Sequence, residues 1–429
     1  MVAEGEKLDE GKTKIIWSIP GEPGQVLVES KDDLTAGDGK KHDVLESKGT
    51  LATETTCNVF RLLRACRVPV AFLEQTGATT FTAQRCQMLK LEVVARRSAY
   101  GSFLKRNPHV SKGHIFPRLV FELFLKTSGR SWGTMSLPCD DPLLVADSAK
   151  VPATANLFVP SMPLAGQQSF ASIVLSEVVD VAFLPKIEET TRQVFLVLEK
   201  AWQLLDRELI DMKIEFGITP DGRLVVSDVI DNDSWRVLYK GQHEDKQVYR
   251  EDGSLAEVLV KYQRITELTR RFGLPQQQLV IWMGSDKDAL DPFSEAFESL
   301  VRYQSSCRIA PVVRSGHKEP TASCIQLHAL LQEVPDSVVI AHVGRSNGLG
   351  SLLAANCTAP VIAVPAGLDK FPDDIWSSLC MPSSVPLMTV LSPANAVLAA
   401  LQILSARNPC IYAMLRQLVE DRLQNLLVL

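Results

Sequence analysis

Between residues 210 and 236 the chain reads IDMKIEFGITPDGRLVVSDVIDNDSWR, with Asp211, Lys213 and Glu215 at every second position among Ile210, Met212, Ile214 and Phe216. Side chains along a strand alternate faces, so the three charged groups share one face and the apolar set packs inward. Pro220, Asp221 and Gly222 signal a turn, and a second apolar run containing Asp228 leads on to Arg236. A two-residue turn at Asp221 and Gly222 sets Glu215 opposite Asp228, whereas a four-residue loop sets Lys213 there. Two facing carboxylates repel unless a cation lies between them. Hard divalent ions such as Mg2+ take carboxylate oxygens and bring a nucleotide's phosphates along, and a neighbouring lysine holds the same phosphates. The stretch therefore fits a metal–nucleotide platform with Glu215 and Asp228 on the metal. It fits equally the solvent face of a plain hairpin with a cross-strand ion pair.

Other stretches carry further candidates. EGKTK places Lys12 and Lys14 on one side of an extended strand; it is no P-loop, because Glu6 stands where a glycine is needed. TAGDGKK presents Asp38 between glycines, where backbone approaches a ligand closely. RRSAYGSFLKR offers Arg96, Ser102 and Arg106 to a phosphate or carboxylate. Later, VIWMGSDKDALDPF reads as a strand ending at Gly284 and Ser285 before a helix start, a natural phosphate site. His317 follows a second apolar run, and HVGRSNGLG, with Asn347 among its glycines, follows a third. Each of these, taken singly, also fits an ordinary connection or a solvated surface.

The elements that must position these groups divide the chain in two. Its 429 residues suggest two or three domains. A net charge of −5 argues against nonspecific nucleic-acid binding. No run reaches the ~18 apolar residues of a membrane span, the start lacks the apolar core of a secretory signal, and nine cysteines without a CxxC pair read as reduced thiols. Cytosol is the expectation, with no membrane or nucleic-acid partner. Residues 1–262 mix strand-like and helical stretches irregularly, as α+β domains do. Residues 263–277 form a joint, with stop signals at Gly273 and Pro275. In residues 278–429, QLVIWMG, SCRIAPVV, SVVIAHVG and APVIAVPAG alternate with helix-compatible segments, which indicates an α/β doubly wound parallel sheet with ligands beyond its strand ends. Residues 127–185, poor in charge and scattered with Ser and Pro, read as a divergent surface insertion.

In combination, EGKTK, TAGDG, ARRSAYGSFLKRN, FELFLK, IDMKIEFG and DVIDNDSWR resemble the ATP-dependent phosphoribosylaminoimidazole-succinocarboxamide synthetases over residues 7–126 and 186–262. That family has a kinase-like α+β ATP-binding fold and joins L-aspartate to carboxylated aminoimidazole ribotide (CAIR) with ATP and Mg2+. The resemblance implies Lys12, Lys14, Lys213, Glu215 and Asp228 at ATP and metal. It implies Arg96, Ser102, Asp211, Arg236 and Lys246 at the ribotide, and Asp38 beside the imidazole or the incoming amine; Asp38, Asp211 and Lys213 would share in the chemistry.

MGS, SGHK and GRSNGLG, with DDIWSS and TVLSP, resemble the animal-type aminoimidazole ribotide carboxylases over residues 278–408. That family adds CO2 without biotin or ATP. It implies His317 as general acid/base, Ser285 and Asp288 at phosphate and ribose, and Ser315, Lys318, Gly344, Arg345, Ser346 and Asn347 completing the substrate and CO2 pocket. Both halves together resemble the bifunctional animal purine-biosynthesis enzymes, which implies a homo-octamer. Departures from the pattern are Lys287, Gly316, His342, Val343 and the stretch 127–142, where only Asp141 and Pro142 remain of an acidic loop. They leave two alternatives, an enzyme with only its synthetase half active or a non-catalytic assembly partner. Retention of the charged set and of His317 argues against the second.

Overall fold

In a computed structural model, residues 4–36, 41–127, 129–244, 247–250, 254–300 and 307–424 are described. The chain falls into two units, one running to Gly273 and taking in residues from Gln417 on, the other spanning residues 274–416.

The first unit is α+β, with two main antiparallel sheets and two two-stranded ribbons among the described residues. Strands Lys7–Glu10, Lys14–Ser18, Gln25–Ser30, Thr80–Gln84 and Phe72–Gln75 lie side by side in that order. Helix Lys48–Ala65 packs on this sheet and buries Val59, Phe60 and Leu63, spaced as one helical face requires. Helix Leu255–Thr269 opens on a capping box of Ser254 and Glu257. It continues past residue 262, where the joint was expected to begin, and bonds to the first helix through Thr55–Thr266 and Asn58–Thr269 at 2.9 and 3.2 Å.

The larger sheet has nine strands among the described residues. Ile115–Leu125, Gln87–Ser98, Glu208–Ile218 and Trp235–Tyr239 neighbour one another in that order. Helix Leu184–Gln203, with Pro185 in its first turn, packs on the middle two through fully buried Val194, Leu198 and Trp202, four residues apart. Residues 127–185 do more than cover the surface. Leu143–Asp147, Thr154–Phe158 and Ala171–Val174 extend the sheet beyond Ile115–Leu125 and bury Ala155, Leu157 and Ile173. The alternation of Ala155 and Leu157 is a strand signal, but the surrounding Ser and Pro masked it.

The 210–236 hairpin adopts neither expected register. Ile218 pairs with Leu224 and Glu215 with Ser227. Pro220, Asp221 and Gly222 make a three-residue loop, closed by Gly222 N–H donating to the Thr219 carbonyl at 2.8 Å and Thr219 N–H to that of Arg223 at 3.0 Å. Gly222 takes φ +81°, which glycine adopts without strain. An odd loop length shifts the pairing by one, so Asp228 falls just past the strand and is swung round by its own positive φ of 66°.

The second unit is a five-stranded parallel sheet in the order Cys307–Val313, Gln277–Met283, Asp336–Val343, Val361–Pro365, Leu387–Thr389. One apolar layer on it includes Phe293, Val397, Leu401 and Ile411; another includes Leu327, Leu349 and Leu353. Helices on both faces make it doubly wound, as the sequence predicts. Strand order reverses at Gln277–Met283, so the loops after it and after Asp336–Val343 flank the switch point where such sheets bind ligands.

No helix among the described residues is long and apolar enough to cross a membrane. All nine cysteines are free, and burial pushes the Cys57 and Cys307 thiols up to about 12, so both stay protonated.

The loops after the third and fourth parallel strands cross so tightly that a β-carbon on Gly367 would overlap the Gly344 carbonyl oxygen. Gly367→Ala should therefore cost the second unit about 1–3 kcal/mol or more. Thermal unfolding should show a lowered midpoint, and an unchanged midpoint would contradict the crossing.

Candidate active sites

The first site is assembled by register. Across Glu208–Ile218, Asp211 faces Arg96 on one neighbouring strand and Arg236 on the other. Arg96 Nη1 donates to Asp211 Oδ2 at 2.5 Å, and Arg236 Nη1 reaches both Asp211 oxygens at 2.9 and 2.6 Å. Glu122 then takes Arg96 Nε and Arg106 Nη2, each at 2.6 Å. Burial opposes the Arg96 charge, but Asp211 and Glu122 outweigh it and hold the guanidinium above its ordinary pKa. Three guanidiniums face two carboxylates, so the cluster keeps an excess positive charge. That excess suits an anionic ligand. A β-carbon on Gly101 would overlap Arg236 Nη2, so the backbone just before the exposed Ser102 approaches the same guanidinium. Arg96, Asp211 and Arg236 are thus together, and Ser102 follows the glycine that Arg236 approaches.

Two positions along the same strand face the ions change character. Lys213 Nζ donates to Glu92 at 2.8 Å, Lys126 Nζ to both Glu215 oxygens at 2.5 Å, and Lys14 pairs with Asp228. Burial pulls the Lys14 ammonium down to about 8, against Glu215, which favours its charge. Lys213 goes the other way: burial works against it, but Glu92 and then Glu215 hold it above the ordinary lysine value. Glu215 and Asp228 therefore do not face each other as paired residues, yet both act on Lys14. Nowhere among the described residues do three His, Cys, Asp or Glu groups gather as a metal cage. Two carboxylates among lysines fit Mg2+ that keeps water and phosphate oxygens as its other ligands.

Other expected residues fall elsewhere. Lys12 lies exposed in the turn between the first two strands and not on a strand with Lys14. Asp38 and Lys246 lie outside the described residues. Four partners carry no signal of their role in the sequence: Glu92, Lys126, Asp233 and the fully buried Lys48, whose Nζ stands 3.5 Å from Asp233 Oδ2. Lys126 sits in FELFLK and Asp233 in DNDSWR, so their motifs were noted but not their roles. Asp141, the remnant of the acidic loop, exchanges two 2.9 Å bonds with Thr127. Burial raises its carboxyl against the Thr127 N–H bond, with Glu92 and Asp140 adding to the rise and Lys213 opposing it. A cavity of about 620 Å³ opens beside Arg106 and Glu122, walled by Phe103, Leu143, Leu164 and Leu184; Lys213, Glu215 and Asp228 are not part of its lining.

In the second unit three loops meet at the strand ends. Ser285 N–H and Oγ donate to Asp288 Oδ2 at 2.9 and 3.3 Å. A β-carbon on Gly344 would stand 2.8 Å from Asp288 Oδ1, and one on Gly348 would overlap His317 Nε2. The exposed His317 thus lies on the start of helix Gly348–Ala355, which Asn347 caps by accepting from Gly350 N–H at 2.9 Å. Ser346 N–H donates to Asp374 at 2.6 Å, Asn347 Nδ2 to Ser378 at 3.0 Å, and Arg345 lies 4.5 Å over the Phe371 ring. The DDIWSS segment is therefore a buttress. Ser315 Oγ accepts from Lys318 N–H at 3.3 Å.

The departures find physical reasons. Lys287 is exposed. A β-carbon on Gly316 would come 2.7 Å from Leu349 Cα, so glycine is required there. His342 is buried edge-on to Phe293 at 4.7 Å with Nδ1 3.3 Å from the Val364 carbonyl, and burial lowers its pKa so that it stays neutral. Val343 belongs to an apolar core layer.

A lysine–carboxylate platform on an antiparallel α+β unit and, in the second unit, a three-loop site at the switch point of a parallel sheet define a two-centre enzyme. Residues 7–131 and 167–267 match the SAICAR synthetase family, and residues 278–425 match the AIR carboxylase family. A Caenorhabditis elegans protein named probable multifunctional protein ADE2 is 37% identical over 419 residues, 95% of this chain and 92% of that one. The Homo sapiens bifunctional phosphoribosylaminoimidazole carboxylase/phosphoribosylaminoimidazole succinocarboxamide synthetase is 33% identical over 426 residues, 96% and 93% of the two chains. A solved SAICAR synthetase (Type-2) in complex with ADP superposes with a TM-score of 0.50 at 27% identity, covering 61% of this chain and 96% of that one. The chain belongs to the family of bifunctional AIR carboxylase/SAICAR synthetases.

Raising the pH through about 8 should neutralise Lys14 and weaken synthetase kcat/KM for ATP. Lys14→Arg should remove that limb of the profile. Stability should move oppositely. A lysine whose folded pKa lies below its unfolded value of about 10.4 destabilises the fold at lower pH, and this cost is relieved as pH rises from about 8. Matched pH–rate and pH–melting curves check both signs.

Proposed function

We propose that the chain catalyses two successive steps of de novo purine biosynthesis: CO2 addition to aminoimidazole ribotide in the second unit, then ATP-dependent joining of the resulting CAIR to L-aspartate in the first. One observation supports this most. On a single strand face, an arginine cluster with excess positive charge at Asp211 adjoins a lysine–carboxylate cluster at Lys213 and Glu215. The first suits an anionic ribotide and the second a metal-bound nucleotide.

A carboxylate is a poor acyl donor. The γ-phosphoryl of ATP passes to the CAIR carboxylate and ADP leaves; the aspartate amine then attacks the acyl carbon, phosphate departs with the bonding electrons, and the amine loses a proton. Lys14 and Lys213 stabilise charge on the transferring phosphoryl group, and Lys12 adds to the ATP site from its turn. Glu215 and Asp228 would hold Mg2+, which would supply positive charge to the phosphates. Arg96, Ser102, Arg236 and Lys246 hold the ribotide, Asp211 orients both arginines beside the reacting carboxylate, and Asp38 serves the incoming amine.

In the second unit the amino-substituted imidazole attacks CO2 through ring carbon 4, and His317 removes the proton from that carbon. Ser285 and Asp288 bind phosphate and ribose, while Ser315, Lys318, Gly344, Arg345, Ser346 and Asn347 close the pocket. Biotin has no part in this step. Burial of His342 and Val343, and the steric need for Gly316, support an active carboxylase half over a silent one. The working form is a cytosolic homo-octamer acting on small molecules alone.

The test supplies aminoimidazole ribotide, bicarbonate, L-aspartate and Mg-ATP and follows both products by mass spectrometry. Asp228→Asn should abolish the succinylated product and spare carboxylation, and His317→Asn should abolish carboxylation yet still give the succinylated product when CAIR is supplied. Loss of both products in Asp228→Asn, or of the succinylated product in His317→Asn supplied with CAIR, would overturn the two-site reading.

A further inference from the structure

The first unit contains a buried carboxylate outside both sites. Glu420, fully buried, belongs to this unit through the segment that starts at Gln417. It accepts from Arg97 Nη2 at 2.6 Å, from Arg192 Nη2 at 3.4 Å and from the Leu119 backbone N–H at 3.1 Å. Arg97 also forks onto Glu199 at 2.6 and 3.3 Å, and Arg192 reaches the half-exposed Asp421 at 2.7 Å. One carboxylate thus joins strand Gln87–Ser98, strand Ile115–Leu125 and helix Leu184–Gln203.

These are the strands that carry Arg96 and its partner Glu122. Arg97 follows Arg96 directly, so strand alternation sends one side chain to the ribotide cluster and the other to Glu420 on the opposite face. Without the Glu420 charge, Arg97 would keep Glu199 alone and Arg192 would keep only Asp421, a carboxylate that water already screens. A buried guanidinium short of its counter-charge is costly, and the helix and strands that Glu420 joins can relieve the cost by shifting. A shift of ~1 Å is enough to cost a site about a hundredfold.

We infer that Glu420 is a positioning residue for the synthetase reaction, clamping from behind the two strands whose other face holds Arg96 and Glu122. The inference rests on the assignment of Arg96 to the ribotide. The synthetase family match ends at residue 267, and residue 420 lies within the carboxylase match of 278–425. The segment matched to one activity therefore supplies a residue to the other.

The test uses the full chain and steady-state kinetics of both reactions. Glu420→Gln keeps the shape and removes the charge. It should raise the synthetase KM for CAIR about tenfold, leave the KM for ATP within about twofold, and leave carboxylation unchanged, in keeping with a small displacement at one subsite. Glu420→Asp, which keeps the charge, should recover most of the loss. Should the single variant not fold, Arg192→Gln/Glu420→Gln removes one charge of each sign and should still raise the CAIR KM at least about threefold. A wild-type CAIR KM in the folded Glu420 variant, or equal rises for CAIR and ATP, would overturn the inference while Arg96→Ala still raises the CAIR KM. If Arg96→Ala leaves that KM unchanged, the ribotide assignment itself fails and the inference with it.

Discussion

A charge placed on the buried face of a sheet must find its counter-charge on a neighbouring strand, and Asp211 imposes that condition here. It is 4% exposed and is met by Arg96 from one side and Arg236 from the other. Leaving any of the three unpaired would cost several kcal/mol, so the register of the strands is locked by ions as well as by apolar packing. The ladder bends close to these residues. Irregularities fall between Leu209 and Asp211, between Arg96 and Ser98, and between Glu215 and Gly217. Such bulges re-aim side chains next to functional sites. The opposite face obeys the same rule at Arg97, Glu199 and Glu420.

Graded electrostatics follow along the strand. Around Asp211 three guanidiniums exceed two carboxylates, and a planar, permanently charged fork suits a fixed anion. Around Lys213 and Glu215 the cations are ammonium groups. Lys213 is held firmly charged by Glu92, whereas burial leaves Lys14 poised near 8. One side-chain type thus gives a fixed charge and a titrating one, because the balance of desolvation and partner differs at each position.

The second unit works under a steric constraint. Its three loops converge only because glycine stands where a β-carbon would strike a neighbour: Gly316 against Leu349, Gly348 against His317 and Gly367 against Gly344. The nearby departures from the family pattern are accommodated by the core, with His342 against Phe293 and Val343 in an apolar layer.

Much of this was legible in the sequence. Alternation at residues 210–216 placed Asp211, Lys213 and Glu215 on one face, and the Val/Ile runs after residue 277 fixed a parallel sheet with His317 and Asn347 at its ligand edge. Both are properties of short segments, set by the two-residue period of a strand. The partners were not legible. Glu92 reaches Lys213 across 121 positions and Lys126 reaches Glu215 across 89, and no local pattern encodes which strands lie side by side. The odd three-residue loop that moved Asp228 out of register depended on how Thr219 bonded to Arg223 and Gly222. Three strands within residues 127–185 became visible only against the edge they extend. The sequence by itself determined which residue types face which side of each element. Tertiary structure alone decided which charges meet, because ion pairing is governed by distance in space and the chain's local order carries no record of it.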